Sequence, residues 1–219
     1  PDVGGGYFLS RCPGSTGEWL ALTGEVIDGA TAIALGLADT FVDAAQLEDA
    51  WQALAALDFT QKAALDEWIA TFSIAACAGS MGAAALIDQV FSMASVGAML
   101  ASLEASSDEW AQKTAAQLRK RSPLMLHVVL EQIRRARTMT LAEDLRMERN
   151  LVRHCFTTAH LGRSGVRSET VEGIRALAVD KDHSPQWSPL RVEDVTPDMV
   201  APFFVSPWPA HAHPLAGLS

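Results

Sequence analysis

The chain has 219 residues, of which 49% are hydrophobic, so it is long enough to bury a sizeable core and is expected to be globular. Its formal net charge of -9 argues against a nucleic-acid partner, because nucleic-acid binding needs a clustered positive surface. No apolar run approaches the roughly 18 residues that cross a membrane, and the first residues do not form a signal peptide. We therefore expect neither a nucleic-acid nor a membrane partner, although the sequence leaves open a targeting segment upstream of Pro1.

Helix caps and breakers predict two short helices near the start of the chain. Ser15 is expected to begin a helix that runs to about Thr23 and ends at Gly24. Asp28 is expected to cap a second, Ala-rich helix that Gly36 closes. The sequence therefore places two helices between the opening residues and the segment LADTFVD. That segment is interpreted as a short strand or an extended link.

The remainder of the chain is predicted to be mostly helical. Residues 44–57 have apolar positions three and four apart, the amphipathic helical pattern, and Thr60 is expected to begin another helix. Further helices are predicted at 84–104, 107–121, 124–137, 140–158 and 169–180. The polar stretch 159–168 is predicted to be a loop, and the Pro-rich residues 206–219 a loosely ordered tail.

Cysteine and histidine usage predicts no metal site. The cysteines are Cys12, Cys77 and Cys155. Because they are odd in number and widely spaced, they indicate neither a disulfide framework nor a Cys-based metal site, and they fit a reducing, cytoplasmic compartment. The histidine pairs at 154 and 160 and at 211 and 213 lack a third ligand and the spacing of a zinc site.

The chain opens with PDVGGGYFL, in which three consecutive glycines precede an apolar run. Glycine permits positive φ and close approach to the backbone, so this stretch predicts a tight loop that leads into the first turn of a helix. Unpaired N–H groups at such a place favour an anion or a developing oxyanion. A tight turn without a ligand is the alternative interpretation of Gly4, Gly5 and Gly6.

Several longer segments resemble one known family. They are PDVGGGYFLSRCPG, LALTGEVIDGATAIALGLADTFV, SPLMLHVVLEQIRRA, TLAEDLRMERNL and EGIRALAVDKDHSPQW. Together they resemble the crotonase (enoyl-CoA hydratase/isomerase) superfamily over most of residues 1–204. The P-D-V-G-G-G-Y-F form and the D-K-D-x-x-P-x-W ending are similar to its 3-hydroxyisobutyryl-CoA hydrolase branch.

The resemblance implies an α/β crotonase-type fold, a spiral of ββα turns followed by a helical C-terminal region. This chain, which is mostly α, would comprise the end of the spiral core (1–58), the helical C-terminal region (59–205) and a Pro-rich tail (206–219). It would be the C-terminal portion of a longer enzyme, whose Gly-rich oxyanion loop and catalytic Glu lie upstream. The active site is then incomplete without that upstream part of the same enzyme.

Asp2 matches the position of the active-site Asp of the hydrolases. The resemblance implies that it works beside the upstream Glu. Two carboxylates can divide thioester hydrolysis, one as nucleophile or general base and the other orienting the substrate hydroxyl or water. A turn or a helix cap is the alternative role for an Asp that precedes a Gly run.

Coenzyme A would enter as part of the substrate, with no separate cofactor and no metal. Gly4, Gly5 and Gly6 would let the substrate approach the backbone closely. The family likeness places EGIRALAVDKD near the adenine and phosphate end of coenzyme A, so Arg175 and Lys181 are predicted to bind it, since Arg and Lys pair with phosphates. Trp187 is expected to pack against the protein instead.

The resulting hypothesis is an acyl-CoA thioester hydrolase that acts on a short branched 3-hydroxyacyl group, 3-hydroxyisobutyryl-CoA in valine degradation. A homo-oligomer is compatible with it. Hydration or isomerisation of an enoyl-CoA is the alternative on the same fold. A non-catalytic helical interaction module is the alternative of another class. The link at 159–168, which is longer than expected for the hydrolases, leaves the acyl preference open.

Overall fold

A computed structural model of the chain describes residues 3–61, 63–73 and 83–219. The chain forms two compact units, one of Pro1–Glu25 with Ala83–Ser219 and the other of Val26–Gly82. These bounds differ from the predicted divisions after residues 58 and 205. Those divisions concern the architecture of the longer enzyme and stay a prediction.

Helices dominate both units, and no strand occurs within the ranges just given. In chain order the α-helices of these ranges are α1 (Gly5–Leu9), α2 (Thr16–Thr23), α3 (Gly29–Ala34), α4 (Leu47–Ala55), α5 (Ala64–Phe72), α6 (Ala84–Phe91), α7 (Val96–Ala105), α8 (Glu109–Arg119), α9 (Pro123–Ala136), α10 (Leu141–Phe156), α11 (Glu169–Ile174) and α12 (Pro197–Val200). A π-helical turn at Arg175–Val179 continues α11. None of the helices in the described ranges is long and apolar enough to span a membrane.

The predicted caps are confirmed in part: Ser15 precedes α2 but its side chain makes no capping hydrogen bond, and the helix predicted to begin at Thr60 begins at Ala64. The Asp28 carboxylate accepts the N–H of Thr31 at 2.7 Å and so begins α3. Gly24, with φ of 65°, ends α2 in the left-handed conformation that glycine adopts readily. The single helix predicted at 84–104 is wrong, because the Ser95 hydroxyl accepts the N–H of Ala98 and begins α7 as a separate helix.

One hydrophobic cluster of the larger unit lies between α9 and α10. Its buried members are Leu124, Val128, Ala136, Met147, Leu151, Cys155 and Phe203. These residues cover part of the apolar surface of α9, whereas Leu126 and Val129 of the same helix line a cavity. Burying each such side chain typically stabilises the fold by about 1.5 to 3 kcal/mol.

The smaller unit contains α3, α4 and α5. The indole N–H of Trp68 donates to the carbonyl of Ala50 at 2.9 Å and joins α5 to α4. The segment LADTFVD contains a single bridge residue, Phe41, and no strand, so of its two interpretations the link fits and the strand is wrong. Trp51 on α4 is 71% exposed.

The tail after residue 205 is bound to α10, so the expectation of a loosely ordered tail is wrong. Arg146 donates from Nε to the carbonyl of Leu215 at 2.9 Å and from Nη2 to that of Leu218. The Nε2 of His213 lies 3.1 Å from Oδ1 of Asn150, and both residues are buried. Polar side chains of α10 thus hold residues 206–219, although the composition of those residues alone does not predict a contact with a helix.

Candidate functional site

The Gly triplet forms a tight turn that begins α1, as predicted. Gly4 has φ of 91°, a value that side chains rarely allow. The backbone N–H groups of Gly4 and Gly6 donate to Oε2 and Oε1 of Glu148, each at 2.8 Å. The N–H of Tyr7 donates to Oδ2 of Asp144 at 3.1 Å. The anions at this helix start are therefore two carboxylates of α10.

Asp144 and Glu148 were missed by the sequence analysis, although a signal for them exists. Both are buried, with 0% and 3% of their surface exposed. They are spaced four residues apart and continue the line of Leu151 and Cys155 along α10, at the spacing that puts side chains on one helix face. Two acids within an otherwise apolar face predict a buried polar contact, because a charge is rarely buried without a partner.

The turn and α10 approach so closely that a side chain at position 6 would displace its neighbours. A Cβ atom on Gly6 would lie 2.5 Å from Oδ1 of Asp144 and 3.0 Å from Nε2 of Gln132. Gln132, on α9, also donates to Oε1 of Glu148 at 3.0 Å. Three helices thus meet at a polar cluster, which we define as Gln132, Asp144 and Glu148 with the amides of the Gly turn.

Burial and the neighbouring charge of Glu148 raise the pKa of Asp144 to about 6. The N–H of Tyr7 and the charge of Arg11 act in the opposite direction. Oδ1 of Asp144 has no hydrogen-bond partner within the described part of the chain. Near neutral pH this carboxyl therefore lies close to the point at which it gains a proton.

Asp2 lies outside the described residues, so its predicted catalytic role stays a prediction. It precedes the Gly turn by one residue, Val3, whose φ is 38°. Residues other than glycine, and β-branched ones above all, are rarely found at such values. The contact of Gly4, Gly5 and Gly6 with a substrate likewise stays a prediction.

Arg175 and Lys181, the predicted coenzyme A contacts, lie in the segment that includes the π-helical turn. Arg175 forms ion pairs with Glu172 at 2.7 Å, Asp180 at 2.7 Å and Asp182 at 2.6 Å. Its guanidinium therefore ties the following loop to α11. Lys181 is exposed and has φ of 54°. The binding of coenzyme A by these two residues stays a prediction.

A cavity of about 700 Å³ lies beside this segment, between α2, α9 and α11. Its polar lining includes Lys120, Arg121 and His183, and its apolar lining includes Met125 and Leu126, whereas Arg175 and Lys181 do not line it. Basic groups at the edge of an apolar cavity suit a ligand with an apolar body and an anionic end.

Trp187 packs at this cavity, as expected. Its ring lies against Gly173, and its Nε1 donates to the carbonyl of Lys120 at 3.1 Å. The indole therefore joins the segment after the π-helical turn to the loop between α8 and α9. Within the described ranges no three His, Cys, Asp or Glu side chains are grouped to hold a metal ion.

Comparison with known proteins gives one family. A family model described as enoyl-CoA hydratase/isomerase matches residues 1–204. The small ribosomal subunit protein mS47 of Arabidopsis thaliana is 36% identical over 212 residues, 93% of this chain and 50% of that protein. The 3-hydroxyisobutyryl-CoA hydrolase 1 of Arabidopsis thaliana is 34% identical over 93% of this chain and 54% of its own length. The mitochondrial 3-hydroxyisobutyryl-CoA hydrolase of Xenopus tropicalis is 32% identical over 94% and 53%.

Solved structures agree with this result. The structure of a carnitinyl-CoA dehydratase from Mycobacterium thermoresistibile matches with a TM-score of 0.78 and 31% identity, over 94% of this chain and 55% of that one. An enoyl-CoA hydratase from Rhodobacter sphaeroides matches with a TM-score of 0.78 and 32% identity, over 94% and 56%. The chain spans about half the length of the curated relatives that it matches.

Proposed function

Because this chain belongs to the enoyl-CoA hydratase/isomerase family, we propose that the full-length protein is an acyl-CoA thioester hydrolase. Its substrate in this proposal is a short branched 3-hydroxyacyl-CoA, 3-hydroxyisobutyryl-CoA. The relatives named as 3-hydroxyisobutyryl-CoA hydrolases support this choice within the family.

The observation that carries the proposal is the Gly turn and its attachment to Glu148. The motif P-D-V-G-G-G resembles that of the hydrolases. Two hydrogen bonds of 2.8 Å to Glu148 hold the backbone of this motif in one conformation from Gly4 onward. A fixed turn directly after a carboxylate is what hydrolysis needs, because misplacing a reacting group by about 1 Å can cost about 10²-fold in rate.

In the proposed reaction, the oxygen of a water molecule forms a bond to the thioester carbonyl carbon, and the bond between that carbon and sulfur breaks. Coenzyme A leaves as a thiolate and takes up one of the two protons of the water, and the other is released to solvent, so the products are 3-hydroxyisobutyrate, coenzyme A and a proton. Asp2 would act as general base, or would orient the substrate hydroxyl or the water. As a nucleophile, Asp2 would instead first displace coenzyme A and form an anhydride with the acyl group, which water would then hydrolyse. The second carboxylate would be the upstream Glu that the family resemblance implies.

The rest of coenzyme A would lie along the segment that contains the π-helical turn. Lys181 and Arg175 remain the proposed phosphate contacts, and the cavity lined by Lys120 and Arg121 supports binding of an anionic ligand in the same region. Arg175 would have to exchange one of its carboxylate partners for a phosphate. A homo-oligomer in the cytoplasm belongs to the proposal, although the Xenopus tropicalis relative is named as mitochondrial.

The test is a comparison of three CoA thioesters with the purified full-length protein. Release of free thiol is measured with 3-hydroxyisobutyryl-CoA and with isobutyryl-CoA, which lacks the hydroxyl, and hydration is measured with crotonyl-CoA. We expect thiol release from 3-hydroxyisobutyryl-CoA to be at least about 10-fold faster than from isobutyryl-CoA. A site that hydrogen-bonds a hydroxyl discriminates against a substrate that lacks it, because the polar groups of the site are then left unpaired. Rapid hydration of crotonyl-CoA without thiol release would instead support the alternative, an enoyl-CoA hydratase.

A non-catalytic role is the second candidate, and one observation favours it. A protein named as a component of a ribosomal subunit is 36% identical to this chain. Identity of this degree therefore does not by itself distinguish a hydrolase from a protein with that other role. This candidate predicts that the full-length protein binds no coenzyme A. Titration with free coenzyme A in a calorimeter decides between them, because heat of binding at micromolar ligand contradicts the non-catalytic role.

A further inference from the structure

We propose that Glu148 is a positioning residue for the reaction: from α10 it holds the Gly turn, the segment that follows Asp2 in the sequence, and Asp144 supports it. The inference rests on the proposed function, since it gives Asp2 a part in the chemistry. It assigns a role to a side chain that is about 140 positions away in the sequence.

The geometry of Glu148 is specific to the turn. One of its oxygens accepts the N–H of Gly4 and the other accepts the N–H of Gly6. A carboxylate that accepts one hydrogen bond on each oxygen fixes both the distance and the orientation of the two amides. Because Gly6 is buried against Asp144 and Gln132, the turn cannot shift toward α10. The turn is thus held from both directions.

The backbone of Val3, directly before the Gly turn, is strained. Val3 has φ of 38° and its side chain is 85% exposed, so packing of that side chain does not enforce the value. Strained backbone persists only where the surroundings hold it, and it is concentrated at functional sites. The bond from Gly4 to Glu148 is the contact next to Val3 that can hold it. Removal of the carboxylate should therefore let Val3 return to negative φ.

A purely structural role is the alternative, because apolar residues in place of the two acids would leave the N–H groups of Gly4, Gly6 and Tyr7 without acceptors. The experiment below separates this role from positioning. Asp144 accepts the N–H of Tyr7 and extends the same contact by one residue. The groups around Asp144 are Glu148 on α10, Gln132 on α9, and Tyr7 and Arg11 near α1. Their arrangement fixes one path for residues 4–7.

The experiment compares Glu148→Gln and Glu148→Ala with wild type in the full-length protein. The matched control is Glu143→Gln, an acid of the same helix whose carboxylate accepts the N–H of Thr140 at the exposed helix start. For each we measure kcat and KM for thiol release and for crotonyl-CoA hydration, the melting temperature, and amide hydrogen exchange of the peptide that covers residues 3–9. The exchange measurement does not depend on turnover.

We expect kcat of the reaction that wild type catalyses to fall about 10- to 100-fold in Glu148→Ala, with KM within about twofold of wild type. Glu148→Gln keeps one acceptor oxygen, so its kcat should lie between those of wild type and Glu148→Ala. Exchange of residues 3–9 should rise in the same order. The control should lower the melting temperature and leave kcat unchanged, which separates positioning from stability.

Three outcomes would overturn the inference. If wild type turns over and kcat is the same in Glu148→Ala as in the control, positioning fails while the proposed function stands. If kcat follows the melting temperature across all variants, including the control, the role is structural. If wild type turns over neither substrate, the proposed function itself fails, and the inference fails with it.

Discussion

Asp144 and Glu148 lie one turn apart on α10, buried side by side, and the charge of Glu148 adds to burial in raising the pKa of Asp144 to about 6. An unperturbed Asp has a pKa of about 3.9. Because the folded value is the higher one, the stability that this group contributes is fully present below about pH 4. It is lost as the pH rises through about 6.

Replacing Asp144 with Asn should therefore change the pH dependence of stability. The amide resembles the protonated carboxyl and does not titrate, so Asp144→Asn should gain stability relative to wild type as the pH rises from 4.5 to 7.5. One pKa unit corresponds to about 1.4 kcal/mol, and solvent screening reduces this, so we expect a relative gain of about 1 to 2 kcal/mol. Urea unfolding of the full-length protein at both pH values measures it.

The control for that experiment is Glu143→Gln. Hydrogen bonds from Thr140 lower the pKa of Glu143, so the stability that this carboxyl contributes is present at pH 7.5 and begins to fall toward pH 4.5. Its substitution should therefore cost more stability at pH 7.5 than at pH 4.5, the direction opposite to that expected for Asp144→Asn. A difference between Asp144→Asn and wild type that does not change with pH would contradict a raised pKa at Asp144.

Arg175 should organise the loop that follows the π-helical turn. Arg175→Gln leaves three carboxylates without their ion-pair partner, so we expect faster amide exchange and faster proteolysis at residues 180–186. Arg191→Gln is the matched control, because Arg191 pairs with one carboxylate, Glu193, at 3.5 Å. Unchanged exchange together with a raised KM would show instead that Arg175 contacts the substrate without organising the loop.

Lys181→Ala should weaken binding of coenzyme A. A group that touches a remote part of the substrate stabilises ground and transition states alike, so KM should rise several-fold while kcat changes less than about twofold. Calorimetric titration with free coenzyme A measures the affinity directly. Lys113→Ala, an exposed position on α8, is the control. If Lys120→Ala weakens binding and Lys181→Ala does not, the phosphate contact belongs to the cavity.

Loss of Arg146 should release the tail. Arg146→Ala removes the donor to the carbonyls of Leu215 and Leu218, so amide exchange of residues 206–219 should become faster. The melting temperature should change little, since exposed polar contacts contribute at most about 1 kcal/mol. Arg153→Ala, an exposed position on the same helix, should leave the exchange unchanged. Equal exchange in both variants would show that Arg146 does not hold the tail.

What the sequence predicted well depends on neighbouring residues. The cap at Asp28 acts three positions away. It was predicted because Asp at such a position satisfies helical N–H groups locally. Ser122 accepts the N–H of Met125 at the start of α9 in the same way, although that cap was not predicted. The extra cap at Ser95 has the same kind of signal, but it was masked by apolar residues on both sides of it.

What the sequence did not predict depends on residues far apart. The bond from Gly4 to Glu148 spans 144 positions, and neither residue alone indicates the other. The tail was misjudged for the same reason, since its partner Asn150 is 63 positions from His213. A local pattern predicts a helix and its face, but the identity of what covers that face follows only from the fold.

The measurement that tests the account most directly is the turnover number of Asp2→Asn in the full-length protein, with 3-hydroxyisobutyryl-CoA as substrate. The change removes a charge and preserves shape, so we expect normal folding, a similar KM and a kcat lower by about 10² to 10⁴, the usual contribution of acid–base assistance. Asp28→Asn, which keeps the helix cap, should behave as wild type. A kcat of Asp2→Asn within a few-fold of wild type would contradict the proposed role of the Gly turn and its carboxylate.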